Sequence, residues 1–320
     1  MKVLVVGGAG YIGSVLSKSL WSGGHDVTVL DLMLFGDESL RHLLGEKRFR
    51  VVHGDIRDID ALRDIVPGHD ALILLAAIVG EPACNRDEAA AVETNLQGTR
   101  NVLKVAKEAN VSRFIFASTC SNYGVSNSDD LVTEHAPLQP LSTYSETKVT
   151  AEAEILAEAN GNFFPTVLRF STAFGVSPRM RFDLLVSDFT LAAVRDRKVV
   201  VYGEQFWRPF VHISDIASAI HRVLEADPSV VSGEVFNVGS NEANVQKEEL
   251  ARSVARIVPE TELEFVERNH DPRSYRVDFT KIRERLGFQA AWTVEDGIQE
   301  VYQALRDRVW QNPADPRYYN

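Results

Sequence analysis

Six short runs of β-branched and other apolar residues punctuate the first half of the chain, at 2–6, 26–30, 50–52, 71–75, 113–118 and 166–170. Each is nearly uninterrupted in apolar character, the pattern of a strand buried on both faces of a parallel sheet. Between them the apolar spacing widens to a helical period at 12–22, 58–65, 87–110 and 143–159. Strand and helix alternate, which predicts an α/β fold built on a doubly wound parallel sheet. Beyond residue 170 the pattern loosens. Helices are predicted at 184–194, 213–225 and 294–308, strands at 198–202, 210–211 and 233–238, and mixed or helical structure at 247–258 and 274–286. Residues 311–320 hold two prolines and little apolar content, so they are expected as an extended surface strap or a frayed end.

Composition narrows the classes. With 320 residues, 45% of them hydrophobic and 25% charged, the chain can bury a sizeable core as one large domain or two intertwined ones. A net charge of −11 argues against a broad nucleic-acid surface, though a few local arginines suffice for a small anion. Cys84 and Cys120 make neither a disulfide framework nor a metal-binding spacing, and fit a reducing cytoplasm. No run approaches the ~18 apolar residues of a membrane span. A soluble cytoplasmic protein without a metal is expected.

Gly7, Gly10 and Gly13 follow the first predicted strand and open the first predicted helix, in VVGGAGYIG. That context suits a turn where backbone N–H groups meet a pyrophosphate, with Tyr11 and Ile12 in the first helical turn. Asp31 ends the second strand, where a carboxylate would accept from ribose hydroxyls and repel a 2′-phosphate, favouring NAD over NADP. A surface aspartate capping the next segment is the plainer reading.

Tyr144 and Lys148 form a YxxxK pair in a predicted helix, one turn apart on one face. Thr119 lies just past the fifth strand, at the sheet edge where ligands bind. Removing a hydride from a carbinol needs a base for its proton, and a tyrosine is a poor base at its free pKa of ~10. A neighbouring ammonium and a positive nicotinamide ring would favour the phenolate. In this scheme Tyr144 is the base, Lys148 tunes it and anchors a ribose, and Thr119 positions the reacting oxygen. Taken alone, such a pair also arises by chance in helices.

The chain resembles the extended short-chain dehydrogenase/reductase family, specifically the NAD-dependent nucleotide-sugar epimerases and dehydratases. GGAGYIG, Asp31, HGDIRD, LLAA, Asn95 in ETNLQGTRNVL, FASTCSNYG, YSETK, LRFSTAFG, WRPFVHISDIA and KIRERLGF occur in family order over almost the whole chain. The resemblance implies a Rossmann domain over residues 1–170, and a nucleotide-sugar-binding lobe over 171–320 interleaved with the last strands. It also implies cofactor contacts from Asp55, Ile56, Leu75, Ala76, Ala77 and Asn95. On the substrate side it implies Cys120, Ser121, Thr172, Arg181, Arg208 and Arg273, with Arg276 in place of Arg273 as a second choice, and the loop 79–86 beside the sugar. Guanidinium forks suit a diphosphate. A homodimer through the helices at 87–110 and 143–159 is the family expectation.

Two departures bear on the activity. The family's dehydratases carry an Asp-Glu pair directly after the Ser/Thr of the triad, where this chain has Cys120 and Ser121. Its members that bind uridine diphosphate sugars often carry Asn where Thr172 stands. The run SPRMRFDLLVSDF with WRPFVH is similar to a subgroup that includes dehydrogenases of guanosine-diphosphate heptoses. The expected reaction is oxidation at C4 of the sugar of a nucleotide-diphosphate sugar, hexose or heptose. The outcome is a 4-epimerase if the hydride returns to the other face, or a 4-dehydrogenase if the keto sugar leaves. The same motifs would also serve a non-catalytic NAD-binding sensor, or a reductase of a non-nucleotide carbonyl. The intact Tyr-Lys pair disfavours the first, and the candidate diphosphate arginines disfavour the second.

Overall fold

The computed structural model describes residues 1–126, 131–267 and 273–320. Its strands are β1 (Lys2–Val6), β2 (Asp26–Asp31), β3 (Phe49–His53), β4 (Ala71–Leu74), β5 (Arg113–Thr119), β6 (Phe164–Phe170), β7 (Thr172–Phe174), β8 (Lys198–Tyr202), β9 (Trp207–His212), β10 (Glu234–Val238), β11 (Asn244–Gln246) and β12 (Glu262–Val266). Seven of them form one parallel sheet in the order β10-β6-β5-β4-β1-β2-β3. The order reverses between β1 and β4, and the carboxyl ends of those two strands open the crevice characteristic of doubly wound sheets.

Uninterrupted apolar strands bury both faces. Val3 and Val5 pack with Leu16 and Leu20 of the helix Tyr11–Ser22 and with Ile216 to Leu224 of the helix Ile213–Glu225. Their neighbours Leu4 and Val6 pack on the other side with the helices Ile59–Ile65, Thr99–Glu108 and Thr143–Leu156. The period of two along a strand divides each run between the two cores. A smaller three-stranded sheet, β11-β9-β7, and the parallel pair β12-β8 belong to the second half of the chain, around a third apolar cluster.

The long helix expected at 87–110 is interrupted. A short helix Glu88–Val92 passes into a π-helical turn, Glu93–Gly98, before the regular helix Thr99–Glu108. Such widened turns cluster at functional sites. The tail is docked. Phe182 stacks edge-on against Trp310 and Tyr318, and its backbone N–H donates to Tyr318 O at 2.9 Å. Among the described residues, no helix is long and apolar enough to cross a membrane, and no cluster of His, Cys, Asp and Glu suits a metal.

Candidate active site

At the end of β1 the backbone turns within space that only glycine leaves open. Gly7 has φ +88°, and a Cβ there would lie 2.5 Å from the backbone nitrogen of Ala76. A Cβ on Gly13 would lie 2.2 Å from the carbonyl oxygen of Gly7. No side chain caps the helix that follows at Gly10, and no acidic residue occupies its first turn. The positive end of the helix therefore faces the cleft without a carboxylate of its own first turn, which fits a pyrophosphate.

Around this turn, Asp31 accepts from the N–H groups of Ala9 at 2.9 Å and Met33 at 2.8 Å. Burial raises its pKa, and those two N–H groups oppose the rise. Asp55 is held by Arg57, whose guanidinium keeps the carboxyl below its ordinary range. Leu75 and Ala76 hang from Val6 O at 2.8 and 2.9 Å and continue with Ala77 along the cleft floor. Ile56 also lines the cleft.

The cleft has a volume of about 1120 Å³ and joins the glycine turn to Thr119, Tyr144 and Lys148. A reciprocal capping box between Ser142 and Ser145 starts the helix immediately before Tyr144. Lys148 follows one turn later and is only 3% exposed. Its ammonium donates to Ala117 O at 2.8 Å, lies 4.5 Å from the centre of the Phe116 ring, and lies 5.9 Å from that of Tyr144. Burial brings the lysine down to about 8, opposed by Glu152 one turn further along the helix. The phenol does not follow the expectation of an acidified tyrosine. Burial pushes Tyr144 up to about 12, and the foremost group opposing this is Arg181, not Lys148. Within the protein alone, desolvation outweighs the neighbouring charges.

Two expected contacts are corrected. Asn95 does not line the cleft; from the π turn its side chain accepts from Ile78 N at 2.7 Å and donates to Ile78 O at 2.9 Å, bracing the loop after β4. Cys120 is fully buried, with its Sγ against Arg169 O at 3.2 Å, and burial raises the thiol to about 12. Thr119 ends the strand and caps a 3-10 turn, Cys120–Tyr123, in which Cys120 faces the core and Ser121 lines the cleft.

The other substrate-side residues come together. Ser121, Thr172, Arg181, Arg208 and Arg273 all line the cleft. Arg181 is paired with Asp183, and Arg273 with Glu81 at 3.4 Å. Arg208 is 5% exposed and donates to the backbone oxygens of Trp207 and Arg273. Arg276 instead stands 5.1 Å from the Trp207 ring and does not line the cleft. Glu81 lines it from the loop 79–86, and sequence reasoning missed Arg179 and Lys247, which line it as well. Lys247 left a signal: it opens the helix Lys247–Ile257, where a cation opposes the helix dipole, and yet it is 8% exposed.

The model of the NAD dependent epimerase/dehydratase family matches residues 3–239. The Low-salt glycan biosynthesis protein Agl12 of Haloferax volcanii is 34% identical over 312 residues, covering 93% of this chain and 96% of that protein. A dTDP-glucose 4,6-dehydratase of Streptomyces niveus is 31% identical, covering 98% and 95% of the two chains. Among solved structures, UDP-glucose 4-epimerase from Thermotoga maritima, determined with UDP-glucose, superposes with a TM-score of 0.86 at 25% identity, covering 97% of this chain and 100% of that one. The chain belongs to the NAD dependent epimerase/dehydratase family, enzymes of the extended short-chain dehydrogenase/reductase type with NAD as their cofactor.

Proposed function

We propose that this enzyme oxidises C4 of the hexose or heptose of a nucleotide-diphosphate sugar and returns the hydride to the opposite face, acting as a 4-epimerase. One observation carries the reading. Thr119, Tyr144 and Lys148 line the cleft that contains the glycine turn, while the position after Thr119 holds a thiol turned into the core. Bound in this cleft, NAD would supply the hydride acceptor and, in its oxidised form, a positive charge that favours the Tyr144 phenolate. The Tyr144 oxygen takes the proton of the sugar hydroxyl and later gives it back, and the Thr119 hydroxyl holds the reacting oxygen. Lys148 contributes its charge and a ribose contact. Arg208 and Arg273 would hold the diphosphate.

The Streptomyces niveus relative is a 4,6-dehydratase. Elimination of water across C5–C6 needs an acid and a base, and Cys120 and Ser121 offer neither at the positions after Thr119. A 4-dehydrogenase that releases the keto sugar is the second reading, favoured by the similarity to the heptose subgroup. A homodimer through the helices Thr99–Glu108 and Thr143–Leu156 accompanies this proposal; they lie side by side, joined by Arg100 and Glu154 at 2.6 Å.

Purified enzyme is incubated with individual nucleotide sugars and the products are resolved by chromatography and mass spectrometry. The C4 epimer without net NADH supports the epimerase, and accumulating keto sugar with NADH supports the dehydrogenase. A 4-keto-6-deoxy product would overturn both. Tyr144→Phe is expected to lower turnover by at least about 100-fold while NAD still binds; full activity would remove the base.

A further inference from the structure

Arg179 is a buried cation, 5% exposed, with no ion pair among the described residues. Its guanidinium donates only to neutral oxygens: Met180 O at 3.3 Å, Tyr319 O at 3.4 Å and the Asn320 side chain at 2.6 Å. The Nε has no hydrogen-bond partner among the described residues. Burial depresses its pKa and the nearby Arg181 charge adds to the effect, while the more distant carboxylates of Asp183 and Asp31 oppose it without pairing with it. The other two arginines on this loop and its neighbour differ, since Arg181 has Asp183 and Arg273 has Glu81. Burying a charge costs several kcal/mol unless an opposite charge compensates. The cleft that Arg179 lines is where such a charge would be supplied.

Its position selects which anion. Two residues earlier, Ser177 donates to Tyr11 O at 2.8 Å and meets the Ser14 hydroxyl at 3.1 Å, fixing the loop to the first turn of the glycine-turn helix. From the opposite lip, four residues beyond Asp31, the Phe35 ring lies 3.7 Å from the guanidinium carbon. Asp31 is among the charges that Arg179 feels. The loop that carries Arg179 is therefore fixed to the first turn of the glycine-turn helix, while its guanidinium packs against the loop after β2.

We propose that Arg179 is a cofactor-binding residue that grips the pyrophosphate of NAD from the side opposite the glycine turn, with Phe35, Tyr319 and Asn320 holding the guanidinium in place. A residue of the second half thus closes the cleft over a cofactor bound by the first half. The tail acts as its brace: Asn320 accepts from Arg179 and donates to Val79 O at 3.4 Å, joining both walls. The proposal rests on the family's cofactor and is independent of which reaction the enzyme performs.

The test is titration calorimetry on full-length protein stripped of nucleotide, using NAD and ADP as probes because ADP carries the same diphosphate. Loss of a charge-assisted contact in Arg179→Ala is expected to raise Kd for both probes in parallel by about 10-fold to 100-fold. Arg179→Lys should recover part of the loss. Asn320→Ala, which leaves the arginine but removes its brace, should weaken both by a smaller factor, and it decides the matter if Arg179→Ala does not fold. NAD affinity within about twofold of the parent in the folded variant overturns the proposal. Weakening of NAD with ADP unchanged also overturns it, because the contact would then lie on the nicotinamide half.

Discussion

Replacing Glu152 with alanine should be among the most destabilising single changes in this protein. Glu152 and Arg169 pair at 2.7 Å with side chains only 3% and 5% exposed. The same carboxylate accepts from Ser118 and, at 2.8 Å, from Asn122. Alanine would leave a buried guanidinium uncompensated and remove the carboxylate that accepts from Ser118 and Asn122, leaving the Asn122 side-chain amide only the Ser118 hydroxyl at 3.2 Å. Arg169 would retain only Tyr123 OH at 3.0 Å and Glu134 O at 3.2 Å. Breaking one side of a buried pair costs about 3–5 kcal/mol, a large share of the ~5–15 kcal/mol that holds a typical domain folded. Urea unfolding followed by circular dichroism would measure it, with the slope checked for constancy so that the midpoint shift reports stability. Replacing both partners with methionine should cost less than the single change, since no orphan charge remains. A loss below about 1 kcal/mol in Glu152→Ala, or a double variant worse than the single, would refute the claim that the pair's charges compensate each other.

Two further outcomes concern the cleft. Gly13→Ala would set a methyl 2.2 Å from Gly7 O and 2.7 Å from Gly8 Cα, so NAD binding by calorimetry should weaken at least about tenfold and thermal stability should fall. Lys148, brought down to about 8 by burial, should titrate near there in ¹³C-labelled lysine spectra, and Glu152→Gln should move the midpoint lower because the carboxylate favours the ammonium; an unchanged or higher midpoint would contradict this. Between that value and the ordinary 10.5 the unfolded chain holds the proton and the folded one does not, so this group's cost to stability is present below about 8 and fades as pH rises.

Elements with strong local patterns are legible from the residues alone. β1, β8 and the helix Ile213–Glu225 match their expected bounds, because long apolar runs and a clear helical stripe leave little choice of period. The strand β12, ELEFV, escapes such a reading: it alternates, is mostly accessible, and pairs only with β8. The Thr119, Tyr144 and Lys148 set is readable because spacing and strand ends are local properties. Cys120 departs from the cleft because adjacency in sequence is not adjacency in the site: the chain leaves the strand after Thr119, and the turn that begins at Cys120 buries its thiol in the core. Arg179 has no local signal at all. Its place depends on residues 35, 319 and 320, which only the folded chain brings together.

The widened turn at Glu93–Gly98 carries a consequence for how this chain can vary. Each residue advances a regular helix by about 100°. Deleting one residue to restore regularity would swing Asn95 off Ile78, or rotate the apolar stripe of Val102, Leu103, Val105 and Ala106 away from the sheet. Both obligations can be met together only because the surplus residue absorbs the phase difference. Length changes here should therefore be tolerated only in compensated pairs, while surface substitutions along the same segment pass freely.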